Sequence, residues 1–249
     1  MQQTITPEIC AAKIRNAKNI AVLTGAGIST AAGIPDFRSP TGIYNSGRYN
    51  ADVVFDINYF YRDPSEFYRF TRDLLAIVDT LSPTFTHRFL ADMERAGMLS
   101  AVVTQNIDPL HYTAGSKNVI PIHGNYNTSH CLECGREYSL ADLERMLGEM
   151  DIPRCDCNKR GIIKPDVVFF GEAVNRIFDA QRAARESDLF FVLGSSLVVY
   201  PAAMLPHIAG GEVVIVNRGP VAFEPADGRY FVDGDLDGFF RKVAEFIKL

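Results

Sequence analysis

The chain has no basic excess. Its 25 Lys and Arg stand against 30 Asp and Glu, a net charge of -5 over 249 residues, and its pI is near 5.6. No block of five or more Lys or Arg occurs either, so the expectation is no direct nucleic-acid partner. Long apolar runs are also missing. The least polar stretch, 189–209, is interrupted by Gly194, Ser195, Ser196, Pro201 and Pro206, which makes it a buried strand followed by a loop and not a membrane span. Lys13, Arg15 and Lys18 precede the apolar Ile20–Val22, but Glu8 and the Thr and Gly content that follows do not suit an export signal. A cytoplasmic, reducing setting is therefore expected, where five cysteines serve as metal ligands or free thiols and not as disulfides. There is no internal repeat, no low-complexity tract and no G-x-S-x-G elbow, so Ser29, Ser195 and Ser196 read as phosphate or ribose contacts and not as nucleophiles.

What is present is a series of short, β-branched apolar runs at 20–23, 101–104, 119–122, 167–170, 189–193 and 213–216. Such runs predict strands buried on both faces. Amphipathic helical spacing precedes the second, at 86–96, and the fifth, at 175–185. Strand alternating with helix predicts an α/β fold with a parallel sheet and right-handed crossovers. Polar residues follow each run: Thr-Gly-Ala-Gly-Ile-Ser, Gln-Asn-Ile-Asp, His-Gly, Gly-Glu, Gly-Ser-Ser and Asn-Arg-Gly. In a parallel sheet these clusters converge on one edge, where open α/β sheets bind ligands. Two segments break the alternation and predict a smaller lobe: 39–82, rich in Tyr, Phe and Arg with helical spacing over 64–78, and 126–164, which holds four cysteines. The parallel-sheet domain is then 1–38, 83–125 and 165–249.

The first cluster brings Gly25 and Gly27 to a nucleotide pyrophosphate, but Thr30 occupies the usual third glycine position and no acidic ribose ligand follows on a second strand. This is a dinucleotide site without the dehydrogenase arrangement. Gln105, Asn106 and Asp108 offer an amide, amide and carboxylate able to fix a carboxamide or ribose hydroxyls, though turn and capping chemistry uses the same residue types. His123, at a strand end beside this crevice, is the side chain suited to take a proton near neutral pH. Arg38 gains a partner if the ligand is anionic. Cys131-x-x-Cys134 and Cys155-x-Cys157 place four thiolates on two turns, as a closed structural zinc site requires. His130 abuts this quartet as a neighbour or a substitute ligand, and Cys10 reads as a small apolar residue.

Together, GAGIST-x-x-GIPDFRSP at 25–40, TQNID-x-LH at 104–111, HG at 123–124, the cysteine quartet, KPDVVFFGE at 164–172 and GSSLVV at 194–199 resemble the sirtuins, NAD-dependent protein lysine deacylases. The resemblance implies a Rossmann-like sheet domain and a small lobe made of a zinc ribbon and a helical insert, with an acyl-lysine tunnel between them. It implies His123 as general base on the nicotinamide ribose, Asn106 positioning a ribose hydroxyl and water, and Ile107 with Asp108 holding the carboxamide. Ala26, Asp36, Phe37, Arg38 and Gln105 would line the nicotinamide and ribose pocket. Gly194, Ser195, Ser196 and Asn217 would take the phosphate and adenosine side, and Gly234 and Asp235 would touch adenine. In the family the acyl oxygen attacks the ribose carbon as nicotinamide leaves, and the products are free lysine and O-acyl-ADP-ribose. An acyl-lysine protein would add as a strand between Val168, Phe170, Gly171 and Glu172 on one side and Leu197 and Val198 on the other.

Pro109 and the two-residue spacing of Cys155 and Cys157 depart from the common family pattern. A Tyr-x-x-Arg that would serve acidic acyl groups is absent: Thr71 stands three residues after Tyr68, and Arg72 lies about 100° further round the helix. An uncharged acyl group such as acetyl is expected. Transfer of ADP-ribose to protein or water and an NAD-binding zinc scaffold without turnover are the alternatives.

Overall fold

The computed structural model of the chain describes residues 3–34, 49–78 and 80–247. Among the described residues nine strands run in chain order: β1 (Ile20–Thr24), β2 (Leu99–Thr104), β3 (Val119–Pro121), β4 (Gly124–Cys131), β5 (Glu137–Ser139), β6 (Ile163–Val167), β7 (Leu189–Leu193), β8 (Glu212–Asn217) and β9 (Arg229–Asp233). The α-helices are α1 (Pro7–Asn16), α2 (Ala51–Val54), α3 (Ile57–Arg62), α4 (Ser65–Val78), α5 (Phe85–Arg95), α6 (Leu110–Thr113), α7 (Leu140–Glu149), α8 (Ile177–Glu186) and α9 (Leu236–Ala244). None of them is long and apolar enough to cross a membrane.

Six strands form one sheet in the order β3-β2-β1-β7-β8-β9, every pair parallel. Alternation along the strands feeds two cores. Ile20 and Val22 face α1, α5 and α9 through Ile14, Phe89, Leu90, Phe240 and Val243. Ala21 and Leu23 face the opposite layer, with Ala180 and Ala184 of α8 and Leu205 of the 3-10 helix Ala202–His207. With both faces covered, the strands have to be apolar throughout, which is why β1 and β7 are buried at every position.

A second, three-stranded sheet, β5-β4-β6, builds the smaller lobe with antiparallel pairing. The run 167–170, expected as a strand of the main sheet, is corrected here: β6 ends at Val167 and pairs with β4, and the residues after it form a loop. An apolar run reports burial but not which sheet it joins. Pro165 is tolerated in β6 because this strand is at the sheet edge, where a missing N–H breaks no ladder. The helical insert packs on the same lobe through Phe55, Phe60, Phe67 and Tyr68 against Tyr126, Leu143, Val167 and Phe169. Phe67 and Phe169 have ring centroids 4.8 Å apart, and the Tyr68 hydroxyl donates to the carbonyl of Ile163.

Candidate active site

The strand order reverses between β1 and β7. Strands β2 and β3 step away on one side and β8 and β9 on the other, so the loops leaving β1 and β7 diverge and open a crevice beyond the carboxyl ends. Its volume is about 830 Å³. The glycines at this point are fixed by one another: Gly25 N–H donates to Leu193 O at 3.0 Å and Gly27 N–H to Gly194 O at 2.9 Å. A Cβ on Gly25 would stand 2.7 Å from Gly194 O, and one on Gly194, whose φ is +64°, would stand 2.5 Å from the Ile28 nitrogen. The two loops therefore interlock backbone to backbone, a constraint additional to the approach of a pyrophosphate.

At one end of the crevice the Gln105–Asn106 loop organises the polar groups. Gln105 N–H bonds Thr24 O (2.9 Å), and its side-chain Nε2 donates to Ser195 Oγ (2.9 Å). Its carbonyl lies 2.9 Å from His123 Nδ1. A carbonyl only accepts, so Nδ1 carries the hydrogen and Nε2 keeps its lone pair. Burial depresses the His123 pKa below the ordinary imidazole value, with the Gln105 carbonyl opposing in part, and the ring is neutral at pH 7. Asn106 Nδ2 donates to Gly25 O (3.2 Å) and Ser29 Oγ (3.1 Å). With both amide hydrogens engaged, Oδ1 is left as an acceptor on a residue that lines the crevice.

His123 stands between β3 and β4, where the chain leaves one sheet for the other. Its carbonyl accepts Val168 N–H (2.9 Å). The group suited to take a proton is thereby tied on one side to the nucleotide loop and on the other to the segment beyond β6. That segment is braced by Lys164, 8% exposed, whose Nζ reaches Val167 O (2.8 Å) and Glu172 Oε2 (2.9 Å). Glu172 also accepts Phe169 N–H (2.8 Å).

Of the residues expected at the site, Gly25, Ala26, Gly27, Gln105, Asn106, Ile107, His123, Gly194, Ser195, Ser196, Asn217, Gly234 and Asp235 line the crevice, as do Val168, Phe170, Gly171, Glu172 and Val198. Asp36, Phe37 and Arg38 lie outside the described residues. Ser29 and Asp108 stand one layer behind the wall: Ser29 Oγ donates to Asp108 Oδ2 (2.9 Å), and Oδ1 accepts Leu110 N–H (3.0 Å). Burial raises the Asp108 pKa against these hydrogen bonds. The Leu197 side chain is 3% exposed and packed in the α8-side core, which leaves its backbone for a ligand. Arg218 and Gly219 join the lining and belong to the strand-end cluster visible in the sequence. Phe55, from the helical insert, also lines it, with no signal beyond being aromatic.

The cysteine quartet fits zinc. The four sulfurs lie within 4.8 Å of one another, and two pairs are 3.9 and 3.7 Å apart. Tetrahedral bonds of about 2.3 Å put sulfurs roughly 3.8 Å apart. Glu133 and Cys157 N–H groups point at Cys131 and Cys155 sulfurs (3.4 and 3.3 Å), and the Tyr138 hydroxyl at Cys155 (3.0 Å), donors that favour thiolate. His130 is not a member of this group; its Nδ1 pairs with Asp166 Oδ1 at 2.8 Å. The zinc would be structural, because four protein ligands leave no open position.

The Sir2 family model matches residues 25–201. The chain is 47% identical over 232 residues to an NAD-dependent protein deacetylase of Thermotoga maritima, covering 90% of this chain and 91% of that one. Among solved structures, a His-to-Ala Sir2 variant with a deacetylated p53 peptide and 3'-O-acetyl ADP ribose superposes with a TM-score of 0.89 at 41% identity, covering 97% and 98% of the two chains. A Sir2 complex with p53 peptide and NAD+ gives 0.87 at 40%, with the same coverage.

Proposed function

The chain belongs to the Sir2 family, and from that membership we propose how its own residues carry out the family's reaction. It is an NAD-dependent protein deacetylase: acetyl-lysine and NAD give free lysine, nicotinamide and an O-acyl-ADP-ribose. In that product a ribose oxygen carries the acyl group, so a ribose hydroxyl must lose its proton. His123 Nε2 is the acceptor for it. The observation that carries this reading is the 2.9 Å contact of His123 Nδ1 with the Gln105 carbonyl, which fixes the tautomer and leaves Nε2 as the base.

Asn106 Oδ1 accepts from a ribose hydroxyl and sets its orientation before proton transfer. Ser195, Ser196 and Asn217 hold the phosphate and adenosine end, with Gly234 and Asp235 beyond them. A zinc held by Cys131, Cys134, Cys155 and Cys157 would hold the ribbon together and supply no chemistry to these steps.

The acyl-lysine peptide lies as an added strand between 168–172 and 197–199. In support, the backbone groups of Gly171 and Val198 make no hydrogen bond among the described residues, while the N–H groups of Val168 and Phe170 are already spent on His123 and Phe55. Phe170 and Val198, 52% and 47% exposed, form the apolar rim of the crevice. Main-chain pairing of this kind gives a loose sequence preference. The preferred acyl group is uncharged: Arg72 is spent on the carbonyls of Leu147, Met150 and Asp151, and Tyr68 is buried.

Mass spectrometry of the products from NAD and a panel of acetyl-, propionyl- and succinyl-lysine peptides tests this. Nicotinamide, deacylated peptide and O-acyl-ADP-ribose are expected from the first two peptides only. ADP-ribose attached to protein without deacylation would overturn the assignment, as would an equal rate on succinyl-lysine for the acyl preference.

A further inference from the structure

Behind the Gln105–Asn106 loop lies a set of buried polar side chains that the reaction itself does not use. Asn106 N–H donates to Thr104 Oγ1 (3.0 Å). Thr104 Oγ1 accepts from Thr24 Oγ1 (2.8 Å), and Thr24 Oγ1 lies 2.9 Å from Nε2 of His111. His111 in turn packs against His87, with ring centroids 4.7 Å apart at 65°. Thr24 and His87 are 0% exposed, His111 1% and Thr104 3%. The chain of contacts starts at the N-terminal turn of α5, passes through α6 and the ends of β1 and β2, and finishes at the backbone of the residue that orients the ribose.

Hydrogen-bond direction along the chain follows from what each group can donate. Thr24 gives its one hydroxyl hydrogen to Thr104, so it accepts from His111, whose Nε2 carries the hydrogen and whose Nδ1 is an acceptor. On His87, Nδ1 meets the Thr84 N–H (3.3 Å) and the Thr84 hydroxyl (2.8 Å) in a capping box. The two remaining nitrogens, Nε2 of His87 and Nδ1 of His111, make no hydrogen bond among the described residues, with one another included, so what joins the two rings is their edge-to-face packing. Burial keeps both rings neutral, with His87 pushed down to about 3 and His111 well below the ordinary value. The direction of the chain is thus constant across the working pH range.

A merely apolar core at this place would need none of these directed contacts. We propose that His111, backed by His87, is a positioning residue for the deacetylation: acting through Thr24 and Thr104, it sets the loop whose carbonyl aims His123 and whose amide aims the ribose. The inference rests on the roles given above to His123 and Asn106.

Two substitutions separate directed contact from packing. His111→Gln keeps an N–H donor near the position of Nε2, and His111→Leu keeps bulk without it. Misplacement of a catalytic group by about 1 Å can cost about a hundredfold in rate. H111L should therefore lower kcat at least about tenfold with the KM values for NAD and acetyl-lysine peptide changed less than about threefold, and H111Q should recover most of the loss. Thr104→Val, which cuts the chain at its other end while keeping shape, should behave as H111L and serves if H111L does not fold. Side-chain nitrogen NMR of the substrate-free proteins should show one Nδ1–H tautomer for His123 in the wild type and H111Q, and a mixture in H111L or T104V. A kcat for H111L or T104V within about twofold of wild type, or equal losses in H111Q and H111L with the His123 tautomer unchanged, would overturn the proposal. A wild type that released no nicotinamide would refute the deacetylase reading instead, and the tautomer comparison would still decide the positioning role.

Discussion

Two influences act on His123 in opposite directions. Burial lowers its pKa, the Gln105 carbonyl raises it, and burial is the larger. A base works only when deprotonated, so kcat/KM should rise with pH through a midpoint below the ordinary imidazole value of about 6.5 and be level above it. A pH profile with its midpoint above 7 would contradict the assignment. His123→Ala should lower kcat/KM by about 10²–10⁴ with little change in unfolding temperature, because among the described residues the side-chain hydrogen bond lost is the one to Gln105. Gly194 is the opposite case, a residue with no functional atoms whose conformation the site needs. A Cβ there meets the Ile28 nitrogen at 2.5 Å in a left-handed backbone. Gly194→Ala should destabilise the fold by about 1–3 kcal/mol or more and abolish NAD binding, measured by denaturant midpoint and calorimetry. The sequence announced Gly25 and Gly27 as a pyrophosphate approach. That they also interlock with Gly194 could not be read there, because the contact joins loops far apart in the chain.

At the scale of elements, legibility followed burial. β1, β2, β7 and β8 are continuous apolar runs because helices cover both faces of their sheet, and the polar clusters after them named much of the crevice lining. β9 was not read: it is an edge strand of sequence RYFVD, half-buried along most of its length, and offers no apolar run. β4, with the sequence GNYNTSHC and partial alternation of burial, carries no apolar run either, and it is held by pairing with β5 on one side and β6 on the other. The run at 167–170 misled for the reason given by its neighbours: Val168 and Phe170 bond His123 and Phe55 as a loop. Leu197 shows the same limit within a motif, an apolar residue whose side chain serves the core and whose backbone alone is left for a ligand. The ribbon yields a prediction at this scale. Metal removal by a chelator, or Cys155→Ser, should release β4, β5 and β6 at their quartet end, because the core around the quartet is small, with Cys131, Tyr138, Cys155 and Ile163 as its buried members. The loss should spread to the crevice through Val168 and His123, giving loss of turnover and peptide affinity while far-UV circular dichroism retains the main-sheet signal. Full activity in metal-free protein would refute this coupling.

The two lobes meet at a crevice whose walls come from both, so the molecule's stability and its chemistry share buried histidines. His87 and His111 are neutral when folded, with His87 at about 3 and His111 well below its ordinary value. In the unfolded chain both titrate near 6.5. Well above about 6.5, neither state binds these protons and the pair contributes no pH dependence. As pH falls below about 6.5, the unfolded chain takes up protons that the folded one refuses, so stability is lost at up to about 1.4 kcal/mol per pH unit for each histidine. The loss continues until pH approaches the folded value of about 3 for His87. It should appear as a fall in unfolding temperature between pH 6.5 and 5, a window in which carboxylates with ordinary values near 4 contribute little. His87→Leu removes one of the two buried imidazoles and keeps an apolar group in its place. That variant should lose stability at pH 7 through the broken capping box at Thr84, yet its unfolding temperature should fall less steeply with acid than that of the wild type. Parallel pH profiles for the two proteins would mean that His87 is protonated in the folded state, and its place as a neutral ring packed behind His111 would fall with that result.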